Sequence, residues 1–136
     1  MADAVQHEDR NAAAESPCIL VVDDADVARR FMTQALLKEG YRVSEARDGA
    51  DALEQLEADC PDLLITDSTM PGIDGTTLIA EARARYPTLP ILRVSGSHGL
   101  SGIRAILPPD VPTLDKPFGY DALLTAVAAL LDRKRR

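Results

Sequence analysis

Short apolar runs alternate along this chain with longer segments in which apolar residues recur every three or four positions. Five runs have the length and character of β-strands: Cys18–Val22, Tyr41–Ala46, Leu63–Thr66, Leu89–Val94 and Val111–Leu114. Four segments have the periodicity of amphipathic helices: 25–38, 50–58, 76–86 and 122–132. Strands that alternate with helices through short connections predict a parallel sheet built from crossover units.

The element order predicts an α/β fold, a doubly wound five-stranded parallel sheet with helices on both faces and the strand order 2-1-3-4-5. The segment between the fourth and fifth strands fits this pattern poorly, because Gly99 and Gly102 weaken any helix and Pro108-Pro109 ends it. We therefore predict a short or irregular fourth helix there. Arg93 is unusual in a central strand, and an eroded helix would leave its side chain a route to water.

The 136 residues are predicted to form one domain, since 46% are hydrophobic and 27% are charged, as in a globular chain. Residues 1–17 show no periodicity and are predicted to be a flexible leader, residues 18–132 the folded domain, and residues 133–136 a basic tail. We interpret this tail as a solubilising helix end rather than a binding element.

Composition excludes several classes of function. A net charge of −7 and an aromatic content of 4% argue against binding of nucleic acid. No run reaches the length of a membrane span, the first residues do not resemble a signal peptide, and Cys18 and Cys60 form no metal-binding or redox motif. We therefore expect reduced thiols and a cytoplasmic protein.

Polar residues follow four of the predicted strands where each strand ends. Asp23 and Asp24 follow the first strand, Asp67 the third, Ser95 the fourth, and Lys116 lies just beyond the fifth. The carboxyl ends of parallel strands meet at one edge of a sheet, and strands one and three are neighbours in the predicted order. Three carboxylates should therefore share one cleft, where their repulsion would raise at least one pKa unless cations lie nearby.

The composition of this cleft suits Mg²⁺, which prefers oxygen ligands, and the absence of nearby His or Cys removes the reason to propose zinc. A carboxylate, a divalent ion, a lysine and a hydroxyl together favour phosphoryl transfer. Asp67 would accept the group as an aspartyl phosphate, and Lys116 would neutralise its charge. Ser95 and the backbone N–H groups of Ser68 and Gly96 would donate hydrogen bonds to it.

Four motifs, in this order, resemble the receiver domain of two-component response regulators. They are Val21-Val22-Asp23-Asp24, then Leu64-Ile65-Thr66-Asp67 with Met70-Pro71-Gly72 and Asp74-Gly75, then Val94-Ser95-Gly96, and finally Asp115-Lys116-Pro117-Phe118. The resemblance covers about Cys18 to Leu131. It implies a CheY-like (flavodoxin-like) fold and transfer of a phosphoryl group to Asp67 from a histidine kinase or a histidine phosphotransfer protein.

The resemblance also implies a role for each site residue. Mg²⁺ would be held by the side chains of Asp24 and Asp67 and the backbone carbonyl of Thr69, with Asp23 in the outer shell. Ser95 would be the switch hydroxyl that moves to the phosphoryl group, with Lys116 as its cationic partner, and the Lys116–Pro117 peptide is expected to be cis. One departure is Thr113, which stands three places before the lysine, where the family usually has an aromatic switch residue.

Output is expected through a partner-binding surface, because only the basic tail follows the last helix. Candidate surfaces are the helix 122–131, the segment 97–109 and the fifth strand. We expect a monomer or weak dimer that is not an enzyme beyond self-phosphorylation from phosphodonors and slow autodephosphorylation. The downstream partner cannot be identified from the sequence.

Three alternatives stay open. Asp24-Ala25-Asp26 superficially matches the nucleophile motif of haloacid-dehalogenase-type phosphatases, although that interpretation leaves Asp67 unexplained. A flavodoxin-type cofactor domain would need a phosphate-binding loop after the first strand, where this chain has acids. The domain could also be the receiver of a hybrid histidine kinase, although the initiating Met1 and the leader favour a stand-alone protein.

Overall fold

The apolar runs of the sequence form a parallel sheet that is covered by helices on both faces. The computed structural model describes residues 16–70, 72–96 and 108–135. The strands are β1 (Cys18–Val22), β2 (Arg42–Ala46), β3 (Leu63–Asp67), β4 (Ile91–Ser95) and β5 (Thr113–Asp115). The helices are α1 (Asp26–Lys38), α2 (Gly49–Ala58), α3 (Gly75–Arg85) and α4 (Tyr120–Arg135). The strand order is β2-β1-β3-β4-β5 with parallel pairs throughout, which confirms the predicted fold.

Two apolar layers arise because successive side chains of each central strand point to opposite faces of the sheet. On one face, alternate strand residues pack against α1 and α4, in a core that includes Ile19, Val21, Met32, Leu36, Ile65, Leu92, Val94, Leu123 and Val127. On the other face they pack against α2 and α3, in a core that includes Leu20, Val22, Ala52, Leu56, Leu64, Leu78, Ile79 and Ile91. Both faces of the central strands are thus buried, as their continuous apolar runs predict.

The register of the central strands sets the position of the polar edge. Val22 is paired with Thr66 across β1 and β3, so the residues that follow each of them emerge side by side. Asp67 is paired with Val94 across β3 and β4. The acidic residues after β1 therefore lie next to the end of β3.

β1 has the predicted boundaries, and the boundaries of the other strands differ from the predicted ones by at most two residues. β4 and β5 each begin two residues later than predicted, at Ile91 and Thr113. At β5 the reason is that Val111 packs into the core beside the sheet without pairing in it. The predicted short or irregular fourth helix falls largely on residues 97–107, outside the described part of the chain. Cys18 is half-buried and Cys60 is exposed.

Arg93 does not reach water, so the expected route for its side chain to solvent is wrong. The residue is 1% exposed, and its Nε donates to Thr113 Oγ1 at 3.1 Å. Arg93 and Thr113 are paired residues of β4 and β5, which places their side chains on the same face. The hydroxyl of Thr113 on the adjacent strand thus accepts a hydrogen bond from Arg93, where we expected water to do so.

The two predicted flanking segments lie partly within the described residues. Residues 1–15 and 136 lie outside the described residues. Ser16 and Pro17, which we assigned to the leader, accept hydrogen bonds through their carbonyl groups from the side chain and the backbone of Arg42. At the other end α4 continues to Arg135, so most of the basic segment is helical.

Candidate functional site

Three carboxylates meet at the carboxyl edge of the sheet. Asp23 and Asp24 follow β1, Asp67 is the last residue of β3, and one carboxylate oxygen of each lies within 4.8 Å of the others. Asp23 is fully buried and Asp67 is 7% exposed, whereas Asp24 is open to solvent. The sheet therefore brings together the acids that the strand order predicts.

Neither Asp23 nor Asp24 is the cap residue of α1, because that helix begins after Ala25. Asp23 instead accepts hydrogen bonds on both carboxylate oxygens. The backbone N–H of Ala25 donates to Oδ1 at 2.9 Å, and Lys116 Nζ donates to Oδ2 at 2.9 Å. The Asp23 carboxylate is thus held in one orientation by the chain itself.

Lys116 connects two of the acids. Its Nζ lies 2.9 Å from Asp23 Oδ2 and 3.2 Å from Asp67 Oδ1. The backbone N–H of Lys116 donates to the carbonyl of Ser95 at 2.8 Å, which extends the β4–β5 pairing and aims the lysine at the cleft. The Lys116–Pro117 peptide is cis, as the resemblance implied.

The electrostatics of the cleft are those of crowded acids. Burial, together with the charge of Asp23, raises the pKa of Asp67, and the nearby Lys116 offsets only part of this increase. Burial would lower the pKa of Lys116, but its hydrogen bond to Asp23 and the charges of both acids raise it above its ordinary value. The lysine therefore stays charged, while the ionised form of Asp67 is disfavoured without further positive charge.

Ser95 lies at the end of β4, beside Asp67. Its hydroxyl accepts a hydrogen bond from the Ser68 hydroxyl at 3.2 Å, and both residues are buried. The Ser68 N–H donates to the Val94 carbonyl at 2.9 Å. Its expected donation to a phosphoryl group would require that N–H to change partners.

The remaining predicted residues lie around this centre. Thr69 is exposed, two places after Asp67. Gly96 is exposed as well, and a Cβ placed there would meet Lys116 Cδ at 3.4 Å, an ordinary contact distance. Thr113 begins β5 and accepts the hydrogen bond from Arg93 described above.

Asp74 and Gly75, which follow β3, each have a structural role at the start of α3. Asp74 caps α3 by accepting from the N–H of Thr77 at 2.8 Å, and α3 begins at Gly75 directly against the end of β3. A Cβ at Gly75 would lie 2.0 Å from the Asp67 carbonyl oxygen. A residue without a side chain is therefore required for α3 to approach Asp67 this closely.

Sequence reasoning missed two side chains, Arg29 and Ser68. Arg29 is buried and binds the acidic loop after β1, and its three-residue spacing from Asp26 was a signal for an ion pair on a helix. Ser68 was considered only for its backbone. Its hydroxyl contact with Ser95 depends on the β3–β4 register, which the sequence does not specify residue by residue.

The phosphatase alternative loses support from Asp26. The Nη2 atom of Arg29 lies 2.7 Å from Asp26 Oδ1, and this hydrogen bond and charge lower the pKa of Asp26. Asp26 is thus engaged in an ion pair on α1, and it is not among the three clustered acids Asp23, Asp24 and Asp67.

None of the helices in the described residues combines the length and the apolar character that a membrane crossing requires.

Comparison with known proteins agrees with this geometry. The sequence model of the response regulator receiver domain matches residues 19–128. Response regulator MprA of Mycobacterium ulcerans (strain Agy99) is 38% identical over 121 residues, which cover 86% of this chain and 51% of that protein. The chain thus spans about half the length of the curated relatives it matches.

Solved structures show the same architecture. The response regulator receiver protein of Sinorhizobium medicae WSM419 superposes with a TM-score of 0.82 at 31% identity, over 89% of this chain and 98% of that one. Chemotaxis protein CheY4 of Vibrio cholerae superposes with a TM-score of 0.77 at 27% identity, over 85% of this chain and 98% of that one.

Proposed function

This chain belongs to the response regulator receiver family, and on that premise we propose that Asp67 accepts a phosphoryl group from a phosphohistidine. The donor would be a histidine kinase or a histidine phosphotransfer protein. The observation that carries the proposal is the position of Asp67. It is a buried carboxylate at a strand end, 3.2 Å from Lys116 and beside two further acids. The family consists of signalling domains and not of classical enzymes.

In the proposed reaction an Asp67 oxygen forms a bond to phosphorus while the P–N bond of the phosphohistidine breaks. The imidazole nitrogen keeps the electron pair of that bond and takes up a proton. Lys116 holds the Asp67 carboxylate and places a positive charge beside the incoming phosphoryl oxygens. Ser95, whose hydroxyl accepts from Ser68 in this structure, would turn toward the transferred group.

The donor set fits Mg²⁺, since it consists of three carboxylates and contains neither His nor Cys. The Asp24 and Asp67 side chains and the Thr69 carbonyl would hold the ion. Asp23 suits the outer shell, because both of its carboxylate oxygens already accept hydrogen bonds from the chain. Burial and the charge of Asp23 raise the pKa of Asp67. A bound ion would place positive charge beside this carboxylate and so favour its ionised form.

The test is intact-mass analysis after incubation with acetyl phosphate or phosphoramidate, with Mg²⁺ or with a chelator. We expect the wild type to gain one phosphoryl group only with Mg²⁺, and Asp67→Asn to gain none. Asp121→Asn is the matched control, because it removes an exposed carboxylate at the start of α4 that has no place in the proposed site.

Each result has a distinct meaning. A phosphoryl group on Asp24 with Asp67 unmodified would support a phosphatase-type nucleophile. No gain under any condition would overturn the proposed phosphoryl acceptor and would favour constitutive binding of a partner.

The output of the domain is proposed to be a change in partner binding. Adding a group of about −1.5 to −2 charges beside Ser95 and Lys116 would alter the β4–β5 edge of the sheet. Among the described residues, β5 and α4 are therefore the candidates for the partner-binding surface that changes on phosphorylation. Whether the domain acts alone or within a hybrid kinase or a longer regulator, the same edge would carry the signal.

A further inference from the structure

Arg29 lies in α1 just beyond the acidic loop, and its guanidinium makes contact with three different acceptors. Nη1 donates to the Asp23 carbonyl at 2.9 Å, and Nη2 donates to Asp26 Oδ1 at 2.7 Å. Nε donates to Glu45 Oε1 at 2.7 Å. The side chain is only 7% exposed, so its position is fixed by these partners rather than by solvent.

The Arg29 side chain holds the chain on one side of Asp24, and the start of α1 holds it on the other. The Asp23 carbonyl precedes Asp24 and is bound by the guanidinium. The Ala25 carbonyl follows Asp24 and accepts the backbone N–H of Arg29 at 3.0 Å, a helical bond that any residue at position 29 would make. The part of this arrangement that depends on the arginine side chain is therefore the contact with the Asp23 carbonyl.

Glu45 connects this arrangement to the sheet. It belongs to β2, where it is paired with Val21 of β1, and its carbonyl accepts Gln55 Nε2 of α2 at 2.7 Å. The Asp23 N–H donates to the carbonyl of the next β2 residue, Ala46, at 3.2 Å. The acidic loop is thus attached to the neighbouring strand β2 both directly and through Arg29.

We infer that Arg29 is a positioning residue that holds Asp24 in place for the metal ion. This inference rests on the proposed function. Asp24 lies close to Asp23 and Asp67, and like charges would drive its exposed carboxylate toward solvent if the loop could move. Lysine could not replace Arg29, because a single ammonium group cannot bind three acceptors in a planar fork.

The test compares Arg29→Gln with Arg30→Gln in the full chain. Both variants remove one positive charge near the acidic loop, but Arg30 is exposed and takes no part in these contacts. Binding of Mn²⁺ is measured from the electron paramagnetic resonance of the free ion, and Mg²⁺ by competition, without any phosphodonor. Thermal melting in chelator checks that each variant is folded.

The sign of the effect separates positioning from electrostatics. Loss of a positive charge alone should tighten the binding of a cation, so Arg30→Gln is expected to bind equally or more tightly. Loss of positioning should weaken it, and we expect Arg29→Gln to bind roughly tenfold or more weakly, as for other outer-shell changes. Phosphorylation from acetyl phosphate should then need more Mg²⁺ but approach the wild-type rate at saturation.

Arg29→Lys keeps the charge and serves if Arg29→Gln does not fold. It too is expected to weaken ion binding. If a folded Arg29→Gln or Arg29→Lys variant bound Mn²⁺ as tightly as the wild type, the inference would be overturned while the proposed function stood. A wild type that bound neither ion would overturn the proposed metal site, and this inference with it.

Discussion

The hydroxyl of Ser68 donates a hydrogen bond of 3.2 Å to the hydroxyl of Ser95, and both side chains are at least 95% buried. The contact links the residue after the proposed acceptor Asp67 to the proposed switch hydroxyl. It exists because β3 and β4 are paired so that Asp67 stands beside Val94, which places the two serines side by side. In this structure Ser68 therefore holds the Ser95 hydroxyl, and we propose that Ser95 leaves this partner when it turns toward a phosphoryl group.

Removing the Ser68 hydroxyl should therefore favour the phosphorylated form. A neutral hydrogen bond contributes about 1 kcal/mol net, so Ser68→Ala should bind a phosphoryl mimic up to about fivefold more tightly. The measurement is the affinity for beryllofluoride in the presence of Mg²⁺, followed by nuclear magnetic resonance.

Ser44→Ala is the matched control, since Ser44 is an exposed serine of β2 on the far side of the sheet. It is expected to leave the affinity for beryllofluoride unchanged. Weaker binding by Ser68→Ala would show that Ser68 supports the phosphorylated form instead.

A second prediction concerns the close approach of α3 to the acceptor strand. Gly75→Ala would place a methyl group 2.0 Å from the Asp67 carbonyl oxygen, so either β3 or α3 must shift. Overpacking of this kind typically costs about 1–3 kcal/mol, and we expect a loss of that size in urea denaturation. Because Asp67 itself would move, phosphorylation from acetyl phosphate should slow as well.

Gly119→Ala provides the control for this change. A Cβ at Gly119 meets nothing within 4 Å, and its backbone does not have a positive φ angle. Gly119 directly precedes α4, and alanine caps a helix less well than glycine, so we expect a loss of only about 0.5 kcal/mol without any steric cost. Equal stability of the two alanine variants would contradict the steric role of Gly75.

The fold and the charged centre could be predicted from the sequence because both depend on local patterns. Apolar runs mark the strands, and parallel strands bring their carboxyl ends to one edge, so the placement of Asp67 beside Asp23 followed from strand order alone. Arg29 could not be placed in the same way. Its contact with Glu45 joins residues 16 apart on different elements, and no periodicity encodes that pairing.

The burial of Arg93 could not be predicted either. A charge in a central strand suggested a route to water, because Thr113, which accepts a hydrogen bond from Arg93, lies 20 residues away on β5 and cannot be recognised from spacing. The ends of the strands could not be predicted from apolar character alone. An apolar residue such as Val111 packs in the core although it does not pair with a neighbouring strand.

A third prediction follows from the raised pKa of Asp67, which burial and the charge of Asp23 produce. A carboxyl group whose pKa is raised by folding binds protons more tightly in the folded state, so it lowers stability as the pH rises from about 4 through that raised pKa. In chelator, Asp67→Asn should therefore melt at a higher temperature than the wild type at pH 7. The difference should shrink as the pH falls toward 4.

Asp110→Asn supplies a control of opposite sign. Its hydrogen bonds from Arg83 at 2.7 and 3.0 Å lower the pKa of Asp110, so ionisation of this group stabilises the folded state. Stability from such a group is present above about pH 4 and is lost as the pH falls through the lowered pKa. This variant should be slightly less stable than the wild type at pH 7, and the deficit should disappear in acid. A lower melting temperature for Asp67→Asn at pH 7 would contradict the raised pKa.

The last prediction concerns Thr113, at the position where the family usually has an aromatic switch residue. Thr113 Oγ1 accepts the Nε–H of the buried Arg93, so Thr113→Val removes an acceptor from a charged donor without changing the shape of the side chain. We expect a loss of about 1–3 kcal/mol in urea denaturation. Thr113→Ser keeps the hydroxyl and should retain most of the stability, although it gives up one methyl group. If valine and serine variants were equally stable, the hydrogen bond to Thr113 would not be what keeps Arg93 inside the sheet, and its other contacts would have to account for its burial.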